Sequence, residues 1–428
     1  MAGPGIRYHY MAQVLSDNFH VTVGFFDPTY LPEDDFNFTY GVAHIDAHYF
    51  EKGFQGYDIV IAHWLSEAMI DYCTRNSIFL VFDFYVLGPV ENLAGSIYSG
   101  RPVKHEHDFE YNRSLAMYRK FFQFGDVFLV SNRRQLDYWT GFIFGAGQIE
   151  LSSYPKRPVY DRFIYAPMGI DVSAKLIHDK DVIKGVIHGI DRGDKVLLWT
   201  GGIWNHFDGK SLMEAMKGLT ASRPDIKLVF FGTQHPNPNI PEMKESLDTR
   251  AYAKQLGIIN KSVFFQDGWV KYPDRINYLL EADAAINTHK PSIETEFSHR
   301  TRVLDHLLAE LPTISTEGDY LSDEVIKPLG LGITVEANNP KGLQEAILKV
   351  LDPKENKTIR EKIKLSRGNF SWQESMNSLN DLLANNPSKL FLLASTKPPK
   401  TNNKAVRAAK KITPAPIKKI IVRTLRAK

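Results

Sequence analysis

A single cysteine, Cys73, stands in 428 residues. It excludes an internal disulfide and suits a reducing compartment. Long apolar runs are also missing. Nothing approaches the roughly 20 apolar residues of a membrane-spanning helix, and no secretory signal pattern is visible at the start. We expect a cytoplasmic protein. Strong net charge is absent, since 52 basic and 49 acidic residues leave +3. From Lys397 onward there is no acidic residue, so the body is mildly acidic and the overall balance does not indicate a nucleic-acid partner. No Asp-x-Asp sits at a strand end. The run at Asp179 lies in a charged stretch, and we expect no catalytic metal and no cofactor.

Short apolar, β-branched runs alternate with helical patterns. The first half reads "HVTVGFF", "DIVIAH", "IFLVFDF", "DVFLVS" and "FIYAPMG"; the second reads "KVLLWTGG", "IKLVFFGT", "SVFFQDG", "DAAINTH", "PTIST" and "GITVEA". Near-continuous apolar runs separated by helices imply parallel strands covered on both faces. The reading is α/β, with two doubly wound Rossmann-like domains facing a cleft. The expected division is 1–170, then 171–385 with closing helices, then a linker and basic tail over 386–428.

The start, "GPGIRYHYMAQVLS", reads as a glycine turn feeding a helix. Such turns normally follow a strand, and none precedes this one, so the first strand is expected to be missing, through an internal start or a natural truncation. Loss of a sheet strand leaves an open edge.

The stretch "THKPSIETEFSHRTRVLDHLLAELPTIST" runs from a strand end through a polar loop into a helix. Backbone amides of Phe297, Ser298 and His299 would be free there to bind an anion. Arg300 and Arg302 add cations that fork onto phosphate oxygens. Glu294 and Glu296 lie just ahead, and Asp305 inside the helix is placed to accept ribose hydroxyls. Together these groups suit a nucleoside diphosphate sugar. As a plain charged loop, the same stretch would simply pair Arg300 with Glu294.

This stretch resembles the signature of the family-4 retaining glycosyltransferases of the GT-B fold, in a variant branch reading "ETxFSxRTRxLD". Further blocks carry the resemblance: "GGIWNHFDG", "GTQHPNPNIPEM", "DGWVKYPDRINYLLEAD" and "SNRRQLDYWTG". It covers most of the chain to about residue 385. Asp305 takes the place of the family's second acid, but the place of the first falls on Phe297, with Glu296 and Glu294 nearby. The family's phosphate-clamping Arg and Lys are replaced by Gly202 and Phe207. The resemblance therefore implies that Arg300 and Arg302, with Lys290 and Lys210 behind them, meet the diphosphate. It implies sugar contacts by Glu294 or Glu296 and by His63, and donor or acceptor contacts by Trp204 and Asn205. Trp269 and Val270 would frame the base, Gly3 and Gly5 would face the diphosphate, and Asp83 would touch acceptor or cap a loop. The activity implied is sugar transfer with retention from a nucleotide sugar to a glycan or lipid-linked glycan acceptor in cell-surface polysaccharide synthesis. A sugar-nucleotide epimerase and a non-catalytic glycan-binding scaffold are the alternatives.

Two histidine patterns suggest metal ligands. His44, Asp46 and His48 would share one face of a strand, and "HEH" begins at His105. In the tail, Ile417, Ile420, Ile421, Thr424 and Leu425 fall on one helical face, with Lys418, Lys419, Arg423 and Arg426 elsewhere. That pattern predicts an interfacial helix, drawn to an anionic membrane surface beyond the linker "STKPPKTNN".

Overall fold

The apolar runs become strands, and all of them pair in parallel. The architecture is that of a computed structural model, which describes residues 3–26, 39–99, 102, 104–149, 151, 154, 158–233, 242–268, 270–385 and 419–423. The chain divides into two units. One gathers the described residues within 1–86, 106–168 and 372–428, and the other those within 87–105 and 169–371.

The first unit holds β1 (His20–Phe25), β2 (Gly41–His44), β3 (Ile59–Ala62), β4 (Phe79–Asp83), β5 (Val127–Val130) and β6 (Phe163–Tyr165). The second holds β7 (Lys195–Thr200), β8 (Ile226–Phe231), β9 (Val263–Gln266), β10 (Ala284–Asn287), β11 (Thr313–Thr316) and β12 (Gly332–Val335). Every run read as a strand is one. β2 is absent from the apolar runs because it is an edge strand with no buried position.

The second sheet has the order β12-β11-β10-β7-β8-β9. The chain builds outward from β7 to β9, then restarts beside β7 at β10. This reversal makes a switch point, and loops leaving the carboxyl ends of β7 and β10 open a crevice there.

The first sheet has the order β2-β1-β13-β3-β4-β5-β6, where β13 is Lys419–Arg423. This strand corrects the expectation for the tail, because the segment expected to form an interfacial helix is a buried strand. It takes a central position in the sheet, where loss of a strand was expected to leave an open edge. Ile420, Ile421 and Val422 are 0%, 1% and 0% exposed. A short β-branched run satisfies both periodicities, and burial on two faces favours the strand. The rest of that tail and the linker before it lie outside the described residues.

The expected domain division needs two corrections. The helix Trp372–Asn385, expected to close the second domain, packs in the first unit against the helix Gly3–Leu15 and β6. The helix Gly88–Tyr98 belongs to the second unit, where it packs against the short helix Ile293–Phe297. The glycine turn is also corrected, because Gly3, Pro4 and Gly5 form the first turn of their helix. Proline suits that position, since its ring presets a helical φ and first-turn amides have no intrahelical partner.

That helix is anchored by a buried ion pair. Arg7 donates from Nε and Nη2 to the two carboxylate oxygens of Asp83, each at 2.7 Å, and from Nη2 to the carbonyl of Ala166 at 2.8 Å. Both side chains are wholly buried. Asp83 therefore ties the first helix to the end of β4. Replacing Arg7 with Leu strands a buried carboxylate, so urea unfolding of the first unit should show a loss of about 3–5 kcal/mol. The Arg7→Leu, Asp83→Leu double variant should recover most of it, because the uncompensated charge is gone.

Candidate functional site

The switch point of the second sheet is stitched shut at its base. After β7, Gly201 takes φ +80°, a conformation that favours glycine, and turns the chain into the loop Gly202–Asp208. That loop pairs with the segment after β10. The Lys290 amide donates to the His206 carbonyl (2.9 Å), the Asp208 amide to the Thr288 carbonyl (3.1 Å), and the Thr288 hydroxyl to the Asp208 carbonyl (2.6 Å). The Asp208 carboxylate then caps the helix Gly209–Leu219 by accepting the Ser211 amide at 3.0 Å.

Charged groups crowd this base. Arg300 donates from Nη1 and Nη2 to the two oxygens of Glu294 at 2.9 and 2.8 Å, and both residues are buried. A fork on a carboxylate is the strongest geometry available to this pair. Nη2 of Arg300 also reaches the Thr295 hydroxyl at 3.1 Å. Arg302 is different. Its Nη2 donates to the Gly202 carbonyl at 2.9 Å, its guanidinium lies 4.1 Å over the Phe207 ring, and no carboxylate pairs with it among the described residues. Its buried Nη1 has no partner among the described residues. Burial and the neighbouring Arg300 push it down to about 9. The cation expected at Gly202 is thus delivered to the Gly202 backbone from another element.

Histidines complete the cluster. His206 has Nδ1 4.0 Å from Glu294, and burial with Arg300 and Arg302 holds it neutral, well below the usual imidazole range. His289, just after β10, is held by Asp319 at 2.8 Å, and its Nδ1 has no partner among the described residues. Asp319 is itself fixed by the amides of Leu321 and Ser322. His306 is pushed down to about 3 by burial and Arg302, and bridges the hydroxyls of Thr200 and Thr313.

The other sequence-predicted residues fall as follows. The polar loop holds the short helix Ile293–Phe297, and the next helix starts only at Arg302. The Ser298 amide is not free as expected, because it donates to the Thr295 carbonyl at 3.2 Å. Glu296 is exposed. Asp305 accepts from Arg275 at 3.2 and 3.1 Å, rather than standing alone for a ribose. Trp204 is exposed beside Gly202, while Asn205 is spent holding the Glu245 amide at 3.1 Å. Lys290 pairs with Glu245, and Lys210 with Glu214 on the surface. Val270 packs against the apolar core, and Trp269 lies outside the described residues.

In the first unit, His63 follows β3, and its Nδ1 meets the Asp83 carbonyl at 2.8 Å. Gly3 and Gly5 begin the helix that carries Arg7. His44, Asp46 and His48 do not share a strand. β2 ends at His44, and Asp46 accepts the His48 amide at 2.7 Å in a turn. Among the described residues, His178, Asp181 and Glu281 come close enough for a metal ion. Glu281 already accepts the amides of Val182, Ile183 and Lys184, and it precedes β10, at the amino-terminal ends of the strands and opposite the carboxyl ends where the switch point opens.

Sequence reasoning missed His206, His289 and Glu91. His289 could have been found by the rule that singled out His63, a histidine closing an apolar strand. Glu91 carried no signal, since it sits in an ordinary helix and reaches Glu294 only through the packing of Gly88–Tyr98 on Ile293–Phe297.

Residues 185–365 match the family model of the group 1 glycosyl transferases. No curated protein matches the sequence as a relative. Solved structures do share the fold. WaaG, a glycosyltransferase involved in lipopolysaccharide biosynthesis, superposes with a TM-score of 0.61 at 16% identity, covering 90% of this chain and 97% of its own. HepE of Anabaena, solved in complex with UDP and glucose, gives 0.58 at 12% identity, covering 89% and 96%. Sucrose-phosphate synthase of Thermosynechococcus elongatus gives 0.59 at 15% identity, covering 89% and 92%. The fold is that of the GT-B glycosyltransferases, two parallel-sheet α/β domains.

Glu91 yields a pH test. The residue as a whole is exposed, but protein packed around the carboxyl end strips part of its hydration. That crowding and the Glu294 charge push its carboxyl up to about 7, against the pull of Arg300. A raised carboxyl favours the protonated form in the folded state, so stability is lost as pH rises from about 4.5 to about 7. Glu91→Gln should abolish that part of the decline. Melting temperatures across this range should show the variant gaining on the wild type as pH increases.

Proposed function

We propose that this protein is a retaining, metal-independent glycosyltransferase. It moves a sugar from a nucleotide-diphosphate sugar to a glycan or lipid-linked glycan acceptor in cell-surface polysaccharide synthesis. The observation that carries the reading is Arg302, a crowded guanidinium lacking a carboxylate partner among the described residues, set on the Gly202 carbonyl at a switch point. An isolated cation in such a place is unfavourable until an anion joins it. A diphosphate supplies that anion. The family match over residues 185–365 and the UDP complex of HepE favour the same donor class.

In this reading the roles expected of the two arginines separate. Arg302 takes the diphosphate, and its charge stabilises the nucleoside diphosphate as it leaves. Arg300 acts through Glu294, holding that carboxylate in one orientation for the hydroxyls of the donor sugar. The leaving phosphate takes the acceptor proton, so no separate base is required.

Arg302→Met should reduce UDP, ADP, GDP or TDP affinity, whichever nucleotide the wild type binds, by on the order of 10- to 100-fold, the worth of one charge-assisted hydrogen bond. The melting temperature should not fall, because the substitution removes a cation with no counter-charge. Calorimetric titration together with a melting curve checks both. Turnover of a nucleotide-sugar panel with and without acceptor tests the reaction class. Product formed without acceptor marks an epimerase, and binding without turnover marks a scaffold.

A further inference from the structure

The first sheet is built around a slot. β1 and β3 do not pair with each other; each pairs with β13. His20–Gly24 lie against Lys419–Arg423 on one side, and Ile59–Ala62 lie against Ile420–Arg423 on the other. The slot is two strand spacings wide, about 9–10 Å. Left empty, it would expose the amides and carbonyls of two strands in the middle of a sheet, where unpaired backbone groups are costly. It is also the switch point of this sheet, since β2 lies beyond β1 on one flank and β4 to β6 beyond β3 on the other.

We infer that the space between β1 and β3 is a strand-acceptor site whose occupant is Lys419–Arg423 of the same chain, and that the first unit is complete only while that segment is bound. Three features of the slot specify this occupant. Its walls are apolar, and they bury Ile420, Ile421 and Val422. Its register is set by Asp58, whose carboxylate accepts the Lys419 amide at 3.0 Å while its own amide donates to the Lys419 carbonyl at 3.0 Å. Its shape is set by Gly24. A Cβ there would lie 2.4 Å from Ile45 Cδ1 and 3.6 Å from Ile421 Cδ1, so only glycine lets those side chains close over β1. The helix Gly3–Leu15 packs over the seated strand.

The segment has ample reach. Residues 386–418 separate it from the helix Trp372–Asn385 of the same unit. A stretch of that length spans at most on the order of 100 Å, several times what a small domain requires. At ordinary protein concentrations a tethered strand outcompetes one from another molecule. The arrangement bears on His63 too. Arg423 pairs with Ala62, the residue before His63, so seating the segment holds the end of β3 in place.

The test uses point variants of the full-length chain and one chain with 419–423 removed. Ile421→Asp should lower the melting temperature of the first unit by about 10 °C, the effect of a few kcal/mol on a domain this size. It should speed amide exchange in β1 and β3 at least tenfold while leaving β7 to β12 unchanged. Asp58→Ala, a milder change, should speed exchange at Ile420, Ile421 and Val422 before other strands. A peptide of residues 416–426, added to a chain lacking 419–423, should restore protection saturably. Unchanged exchange in β1 and β3 for Ile421→Asp overturns the inference. A wild-type dimer that dissociates on dilution, with loss of β1 and β3 protection, overturns the same-chain assignment and gives the strand to a second copy.

Discussion

The fork of Arg300 on Glu294 is the contact on which the second unit's crevice depends. Both groups are buried, and neither could stand alone there without a large desolvation penalty. By consuming each other they leave one cation in the crevice with no carboxylate of its own among the described residues, that of Arg302. The pair also fixes the direction of the Glu294 carboxylate, and with it the electrostatic setting of His206 and Glu91. A site that must receive a highly charged ligand benefits from a surplus of one sign held in a fixed frame, because little reorganisation is then needed when the ligand arrives.

The first unit rests on a different constraint, the completeness of its sheet. Parallel strands buried on both faces cannot tolerate a gap, since each gap leaves two ladders of backbone groups unpaired. Here continuity across the switch point is achieved by residues far apart in sequence. Asp83 and Arg7 play a comparable long-range part, joining the first helix to β4 through buried charge.

Much of the fold was legible because its signals are local. An apolar β-branched run bounded by turn residues reads as a strand whatever surrounds it, and the alternation with helices dictates parallel pairing. The candidate site was legible by proximity in sequence. "ETEFSHRTR" announced a charged turn at a strand end, and it does lie at the switch point. Partners were not legible. Arg300 and Arg302 are two residues apart, yet one is neutralised and the other is not, because Arg300 lies in the link before the helix and turns back to Glu294, while Arg302 opens the helix and reaches the loop after β7. Asp305 looked available until Arg275, thirty positions away, was placed on it. Glu91 gave no hint at all.

The sequence alone therefore determined the class of fold, the position of nearly every strand, and the charged segment that follows β10. Only the tertiary structure decided which charges cancel and which segment fills the centre of the first sheet. Periodicity carries no information on either point. "KIIVR" is equally apolar along a helix face and along a strand, and only the slot between β1 and β3, by burying both faces at once, selects the strand. A guanidinium is equally charged beside any neighbour, and only three-dimensional packing supplies the carboxylate to Arg300 and leaves Arg302 on a backbone carbonyl.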